Sequence, residues 1–280
     1  MTQHPTLSND ELDQFDAFGF FVRRQTFTAA EVFTFIEALE SVCTQLLGHP
    51  PGPGDVVWER HFAETHPALM KLVSDDHIYE PVSQILGEDF LWVSSEGMWG
   101  FQEKLADHHW HADGGWIPEQ MSPHRLKVML YLDPQRRDSG ALRIMPGSHR
   151  SPYHDALLPC NEAHDKPGTP VFFGMRGEEL PGVAIETEPG DLLFFNNWLF
   201  HSVYGKVHPR RSIVLQFTGA PTREAQRNLL RDNGDRMAIH ENLAASDDPR
   251  IRKMVERTRR IAESLQSGSM RWPFKRSPPI

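Results

Sequence analysis

Apolar residues recur at helical spacing through the first part of the chain. The segment from Thr6 to Gly19 starts with side chains that can cap a helix and ends at a glycine, which predicts a short helix. Phe20 to Val22 predicts a strand, and the apolar series from Thr28 to Gly48 predicts a longer amphipathic helix. A further helical region is predicted from Pro67 to Leu86, with a polar break at Asp75.

The pattern changes near Phe90, where short apolar runs begin to alternate with clusters of turn-forming residues. Many short strands separated by turns are typical of an all-β sandwich or barrel and not of a parallel α/β sheet. Helical spacing returns at Thr222 and continues to Gln266. The sequence therefore predicts a mostly β protein with flanking helices. The predicted strands are Leu91–Ser94, Met98–Glu103, Leu126–Leu132, Ala141–Met145, Val171–Phe173, Val183–Thr187, Asp191–Phe195 and Ser212–Thr218.

Length and composition fit a single domain. A chain of 280 residues with 39% hydrophobic residues can bury one sizeable core. We expect N-terminal helices over 7–86, a β core over about 90–220 and C-terminal helices over 222–266. The net charge of −9 argues against a nucleic-acid-binding surface, because phosphate contacts require clustered Lys and Arg side chains.

Cysteine content and hydropathy bear on the compartment. Cys43 and Cys160 are too few for a disulfide framework, and no charged start followed by an apolar run marks a signal peptide. The strongly apolar stretch from Leu192 to Phe200 is too short to cross a bilayer and contains two asparagines. We therefore expect a cytoplasmic protein with no membrane partner, and the sequence leaves its oligomeric state open.

A metal-binding pattern lies in the β region. His111 and Asp113 are two residues apart, a spacing that points both side chains to the same face of an extended strand. His201 follows a distant predicted strand and could supply a third ligand. Two imidazoles and one carboxylate form the facial triad of non-haem Fe(II) oxygenases, which leaves coordination positions open. His109 with His111 is an alternative pair of the kind that zinc sites use.

Six segments carry a second, more specific pattern: Trp110–Asp113, Val128–Pro134, Asp138–Leu142, Met145–Arg150, Glu188–His201 and Arg210–Ile213. Two features among them are distinctive, a Pro-Gly-Ser-His turn and a Gly-Asp pair whose aspartate precedes the distal histidine by ten residues. In these segments the chain resembles, from about Leu7 to Thr218, the phytanoyl-CoA dioxygenase family. That family is a branch of the 2-oxoglutarate oxygenases, and it implies a double-stranded β-helix core of the jelly-roll, cupin-like type.

The resemblance implies Fe(II) as the metal and 2-oxoglutarate as the co-substrate. It also implies an arginine that pairs with the C5 carboxylate of 2-oxoglutarate, and strand alternation favours Arg210 for this role, with Arg211 on the opposite face. The same alternation places Lys127, Met129 and Tyr131 together on the inward face. A buried lysine without a carboxylate partner is costly, which favours a ligand role. Further co-substrate contacts are expected from Lys104, Lys127, Met129 and Ser202.

The reaction implied by the resemblance uses dioxygen, converts 2-oxoglutarate to succinate and CO2, and hydroxylates a small organic molecule. In halogenating relatives a small residue replaces the metal-binding carboxylate, so Asp113 favours hydroxylation. One rival interpretation is a Zn(II)- or Mn(II)-dependent hydrolase or isomerase, which would not need Arg210. Another is a noncatalytic member that binds a small molecule. The predicted substrate pocket contains Trp99, Phe101, Trp110, Trp116, Arg143 and Trp198.

Overall fold

The computed structural model describes residues 4–100, 107–113, 124–164, 170–206, 210–232 and 239–265. The α-helices are α1 Asn9–Phe18, α2 Ala29–Leu47, α3 Pro67–Met70, α4 Asp76–Leu86, α5 Tyr153–His164, α6 Glu224–Asp232, α7 Glu241–Ala244 and α8 Pro249–Leu265. The strands are β1 Phe20–Arg23, β2 Val56–Arg60, β3 Leu91–Gly100, β4 His108–His111, β5 Arg125–Tyr131, β6 Leu142–Ile144, β7 Val171–Phe172, β8 Met175–Arg176, β9 Val183–Ile185, β10 Leu192–Asn196, β11 His201–Val203 and β12 Arg210–Thr218. None of the helices in these ranges is long and apolar enough to cross a membrane.

The first two helices begin and end at residues that satisfy their terminal backbone groups. The hydroxyl groups of Ser8 and Thr28 each accept a hydrogen bond from the backbone amide of a glutamate three residues later, and that glutamate accepts one in return. Gly19 and Gly48 end the two helices with φ angles of 82° and 77°, a conformation that glycine adopts at little cost. Both helices predicted from the sequence are confirmed.

Two antiparallel sheets form the centre of the molecule. The larger sheet has the strand order β1-β10-β5-β12-β3-β2, and the smaller has the order β4-β11-β6-β9. Apolar side chains from both sheets pack into one cluster, for example Phe195 and Met129 of the larger sheet with Leu142 and Ile185 of the smaller. This is the expected jelly-roll core with flanking helices, so the predicted fold class is confirmed.

The outer face of the larger sheet carries the main hydrophobic core. Leu126, Val128 and Leu130 of β5 point to this face and pack with residues of the helices, among them Leu39 of α2 and Met254 of α8. Because side chains alternate along a strand, Arg125, Lys127 and Met129 point to the inner face. Packing against the helices therefore determines which side chains of β5 point into the space between the two sheets.

Several elements differ from the predictions. Two predicted strands form the single strand β3, which continues through the polar pair Glu96-Gly97 because the ring of Phe62 packs where a side chain at position 97 would lie. Val171–Phe173 is only partly a strand, and it pairs with β8 in a small separate sheet outside the jelly roll. The sequence pattern did not reveal β2, β8, β11 or α5, and the predicted C-terminal helix is divided into α6, α7 and α8.

Candidate metal centre and co-substrate cavity

His111 and His201 are direct neighbours on two strands of the smaller sheet. β4 ends at His111, β11 begins at His201, and the antiparallel register pairs their Cα atoms. The centroids of the two imidazole rings are 4.3 Å apart. Asp113 lies two residues after His111, so its carboxylate returns to the face that carries both rings. Strand pairing thus joins residues that are 90 positions apart in the sequence.

The orientation of the two imidazoles suits a metal ion. Nδ1 of His111 donates a hydrogen bond to the carbonyl oxygen of His109 at 2.7 Å, and Nδ1 of His201 donates to the carbonyl oxygen of Leu199 at 2.9 Å. Since a carbonyl oxygen can only accept, Nδ1 carries the proton and Nε2 is left to coordinate. The Nε2 atoms lie 3.9 Å and 3.8 Å from the carboxylate oxygens of Asp113.

The three potential ligand atoms all lie within 4.8 Å of one another, so a single cation can contact all of them. The alternative pair of His109 and His111 is not supported by this geometry. Although His109 is also on β4, its ring packs against Tyr204, with 5.9 Å between the ring centroids. The residues that converge are therefore His111, Asp113 and His201, and this donor set fits a non-haem Fe(II) centre.

Asp113 is held as a carboxylate. Burial raises its pKa, but the positive charge of Lys127 and the imidazoles of His201 and His111 outweigh burial, so the pKa lies well below its ordinary value. Nζ of Lys127 is 3.0 Å from Oδ2 of Asp113. A ligand role for Lys127 was expected on the condition that it has no carboxylate partner, and this condition is not met because Asp113 and β5 face each other across the cavity.

Two side chains outside the triad hold the ligand-bearing segments in place. Asn161 of α5 accepts a hydrogen bond from the amide of Ala112 at 2.8 Å and donates one to its carbonyl oxygen at 3.4 Å. Ser148 accepts a hydrogen bond from the amide of Phe200, immediately before His201, at 2.8 Å. The sequence analysis missed Asn161, because α5 itself was not predicted.

Arg210 and Arg211 lie on opposite faces of β12. Arg211 donates hydrogen bonds to Asp133 and Glu40 on the helical side of the sheet. Arg210 is 3% exposed and faces the inner cavity, where its guanidinium donates to Gln135 and to the carbonyl oxygen of Gly140. These acceptors are neutral, so the charge of Arg210 has no carboxylate partner in the part of the chain that the structure describes.

Lys206 is a second buried cation beside Arg210 that the sequence analysis missed. It is 2% exposed and lines the same cavity. Burial and the neighbouring charge of Arg210 lower its pKa to about 8, although Asp107 acts in the opposite direction. Gly140 fits between the two cations, since a Cβ atom there would lie 2.9 Å from the guanidinium and 3.1 Å from the Lys206 backbone. No local sequence pattern marked Lys206.

The cavity runs between the sheets, from Arg210 and Lys206 at one end, past the triad, to a polar region at the other end. Its volume is about 350 Å³. Lys127 and Met129 line it, as expected from strand alternation. The polar region contains residues that the sequence analysis did not select, namely Glu96, Arg125, Asn197 and Gln216. Alternation from Lys127 and Arg210 could have identified Arg125 and Gln216.

The sequence profile of the phytanoyl-CoA dioxygenase (PhyH) family matches residues 15–205. The chain belongs to this family. The expected family membership is therefore confirmed. No curated protein matches the sequence closely enough to count as a relative.

Several solved structures share this fold. HygX from Streptomyces hygroscopicus with nickel and 2-oxoglutarate bound is 19% identical, with a TM-score of 0.63 over 77% of this chain and 88% of HygX. EctD from S. alaskensis with 2-oxoglutarate and 5-hydroxyectoine is 22% identical, with a TM-score of 0.57 over 78% of each chain. The carbocyclase SnoK from nogalamycin biosynthesis is 17% identical, with a TM-score of 0.57 over 79% of this chain and 87% of SnoK.

The two motifs that carried the family resemblance have structural roles here. Ser148, from the Pro-Gly-Ser-His turn, fixes the segment before His201 through the bond to Phe200. Asp191, from the Gly-Asp pair, is buried and accepts hydrogen bonds from the amides of Gln25 and Glu188. Gly190 has a φ of 92°, and a Cβ atom there would lie 2.5 Å from a backbone oxygen. In this chain the motifs shape the PhyH fold around the site.

Five residues expected at the co-substrate or substrate site lie elsewhere. Trp99 packs against Arg211 on the outer face, and Trp198 packs against His154. Arg143 donates to the carbonyl oxygen of Glu178 and contacts Tyr204, and Ser202 points away from the cavity because it alternates with His201 and Val203. Strand faces and loop packing explain these corrections. Trp110 is likewise buried in a separate cluster. Phe101, Lys104 and Trp116 lie outside the described residues.

Proposed function

We propose that this protein is an Fe(II)- and 2-oxoglutarate-dependent dioxygenase that hydroxylates a small organic molecule. The observation that carries the proposal is the position of the triad of His111, Asp113 and His201 in a cavity whose end holds two buried cations, neither of which forms a salt bridge with a described carboxylate. A metal centre and an anion site in one cavity match a co-substrate that must chelate the metal and end in a carboxylate.

The residues of the site have separate roles in binding the metal and in orienting the substrate. His111, Asp113 and His201 would hold Fe(II) on one side, which leaves the side toward the cavity for ligands. When bound, Fe(II) and 2-oxoglutarate supply the activation of dioxygen. The overall reaction would consume 2-oxoglutarate, dioxygen and a C–H bond of the substrate, and would yield succinate, CO2 and a C–OH group. The protein determines which C–H bond lies next to the metal.

Arg210 and Lys206 would bind the C5 carboxylate of 2-oxoglutarate together. The guanidinium of Arg210 is oriented by Gln135 and Gly140 and can offer two parallel N–H donors, while the ammonium of Lys206 adds a second charge. The negative charge of that carboxylate would offset part of the cost of burying two cations together. A hydrolase or isomerase using the same triad would have no need for this end of the cavity.

Hydroxylation is the proposed outcome among those that the fold allows. Relatives with this fold include a carbocyclase, so the fold does not fix the reaction. Asp113 occupies the position that halogenating relatives vacate, which favours hydroxylation over halogen transfer.

The direct test is anaerobic addition of Fe(II) and 2-oxoglutarate to the purified protein. We expect the weak visible charge-transfer band of the chelate, and we expect Asp113→Ala to remove it. Arg210→Gln should weaken 2-oxoglutarate binding by about tenfold or more, since it removes a charge-assisted pair. The matched variant Arg211→Gln, on the opposite face, should leave that affinity within about twofold. A folded protein that shows no band would contradict the proposal.

A further inference from the structure

Asn197 is a buried polar residue of the cavity wall whose side chain the fold does not use. It is 4% exposed and lines the cavity, and its Oδ1 atom accepts no hydrogen bond from the described part of the chain. A buried amide oxygen without a donor costs free energy in the folded protein. Because such groups are rare in folded proteins, the donor for this oxygen is expected to come from outside the chain.

The turn that contains Asn197 is held by other groups. The side chain of Asn196 accepts a hydrogen bond from the amide of Trp198 at 2.9 Å, and the backbone amide of Asn197 donates to the carbonyl oxygen of Arg125 at 3.2 Å. Asn196 thus makes the side-chain contact that an asparagine commonly makes in a turn. Since the backbone at position 197 is fixed without its side chain, local folding does not account for the amide group there.

Asn197 lies just beyond the metal centre, on the opposite side from Arg210. The pairing of β10 with β5 places Asn197 beside Arg125 and one step beyond Lys127. Such a step of two residues spans about 7 Å along a strand. Because Nζ of Lys127 is 3.0 Å from the carboxylate of Asp113, the triad is near this end of the wall. A group bound at Asn197 would therefore lie close to the metal, away from the C5 carboxylate of 2-oxoglutarate.

The ligands of the proposed reaction differ in their ability to donate a hydrogen bond. The 2-oxoglutarate dianion has only acceptor oxygens, and dioxygen carries no hydrogen atom. Neither molecule can satisfy Oδ1 of Asn197. The primary substrate is the remaining reactant that enters the cavity, so the missing donor is expected to belong to it.

The surroundings of Asn197 favour an uncharged donor over an ammonium group. A buried cation requires an anionic partner. Of the described carboxylates that line the cavity, Asp113 is already paired with Lys127. Glu96 lies on β3, three strands from β10 in the larger sheet, which is on the order of 14 Å away. An O–H or N–H group without charge needs only the acceptor that Asn197 offers.

We propose that Oδ1 of Asn197 accepts a hydrogen bond from an uncharged O–H or N–H group of the primary substrate, either a hydroxyl or an amide. The bond fixes this group beside the metal, so the C–H bond that is oxidised lies near it. Asn197 thereby determines substrate specificity, because an analogue without the donor leaves its buried oxygen unpaired. This inference rests on the proposed function.

The test measures the binding of paired small probes beside the metal. The protein is loaded with Mn(II) and 2-oxoglutarate, and the paramagnetic ion increases the relaxation rate of the protons of a probe that binds nearby. Ethylene glycol is compared with its dimethyl ether, and N-methylacetamide with N,N-dimethylacetamide, because the second member of each pair lacks the donor. Protein loaded with Zn(II) is the diamagnetic reference.

The relative affinities within each pair decide the outcome. We expect at least one donor probe to bind at millimolar concentration, and at least about fivefold more tightly than its methylated partner. A preference for the glycol indicates a hydroxyl group on the substrate, and a preference for N-methylacetamide indicates an amide. Equal binding within both pairs, or no binding of either donor probe, overturns the inference.

Variants of Asn197 test whether its oxygen is the acceptor. Asn197→Leu replaces the amide by an apolar group with the same branching and should abolish the donor preference, whereas Asn197→Asp keeps an acceptor and should retain it. The Tm of Asn197→Leu should not fall, since the variant removes an unsatisfied oxygen, and a clear fall overturns the inference. Asn9→Leu, at an exposed position of α1, is the control and should retain the preference. A preference that persists in Asn197→Leu, or is lost in Asn197→Asp, also overturns the inference.

One further measurement separates this inference from the proposed function. Binding of 2-oxoglutarate to the unaltered protein loaded with Mn(II) is measured by calorimetry before any probe is added. Absence of that binding contradicts the proposed function itself. Normal binding of 2-oxoglutarate without any donor preference among the probes overturns only the role of Asn197.

Discussion

At the scale of single residues, Lys206 combines a cost to stability with a role in binding. A lysine whose pKa falls from its ordinary value to about 8 on folding is harder to protonate in the folded chain. At neutral pH its burial therefore opposes folding, on the order of 1–3 kcal/mol. Residues that destabilise the free protein in this way are typical of binding sites, where the ligand supplies the missing partner.

Replacement of this lysine should separate the two effects. We expect Lys206→Met to raise the free energy of unfolding of the ligand-free protein by about 1–2 kcal/mol and to weaken 2-oxoglutarate binding by about tenfold. Denaturant unfolding and calorimetry measure the two quantities. Lys253→Met, at an exposed position of α8, is the control and should change neither. A Lys206→Met protein that is less stable and binds normally would show that Lys206 has a structural role only.

The lowered pKa of Lys206 should make the affinity for 2-oxoglutarate depend on pH. Below pH 8 Lys206 is charged both in the free protein and in the complex. Above pH 8 Lys206 loses this proton in the free protein, whereas in the complex the bound carboxylate keeps Lys206 protonated, so binding must take up a proton. We expect 2-oxoglutarate affinity to fall by several-fold between pH 7.5 and pH 9, to an extent of at most about tenfold per pH unit. A profile equally steep in Lys206→Met would assign the effect to another group.

At the scale of elements, the sequence predicts the bounds of helices and strands well where local and tertiary preferences agree. α2 has both caps and an apolar stripe, and its predicted bounds are within one residue of those observed. α5 was missed because its apolar pattern is weak and Pro159 lies inside it. β3 was divided because Glu96-Gly97 looks like a break, although Phe62 fills the space over the glycine. Such long-range packing leaves no local signal.

The missed helix α5 has a consequence for the metal centre. Asn161 binds both backbone groups of Ala112, the residue between the two ligands His111 and Asp113. We expect Asn161→Ala to weaken Fe(II) affinity by about tenfold, the effect typical of residues that orient metal ligands, while the protein remains folded. Metal titration followed by circular dichroism measures this. Glu162→Ala, an exposed neighbour on α5, should bind metal normally, and equal effects of the two variants would exclude a specific role for Asn161.

At the scale of the whole molecule, the site is divided between the two sheets. The metal ligands come from β4, the segment after it and β11, whereas Arg210 and the polar region with Arg125 and Gln216 come from the larger sheet. The triad could be predicted because its three ligands lie in two short segments with a recognisable spacing. The residues that line the opposite wall depend on strand register and on the docking of one sheet on the other, so Lys206, Asn197 and the true face of Trp99 were beyond the sequence. Alternation with His201 could have shown that Ser202 faces away from the cavity.

A variant in the C-terminal helix α8 can test whether the whole chain unfolds as one cooperative unit, which its length suggests. Met254 of α8 is buried in the same hydrophobic cluster as residues of α2 and β5. We expect Met254→Ala to cost about 2–5 kcal/mol, and to lower the Tm of the whole protein by about 5–15 °C in a single transition. Lys253→Ala, exposed on the same helix, should change the Tm by no more than about 2 °C. If α8 instead unfolded in a separate, earlier transition while 2-oxoglutarate binding and the main transition remained unchanged, the helices would form an independent unit. Shared unfolding is expected because the core that orients Arg125, Lys127 and Met129 toward the cavity is the core that α8 completes.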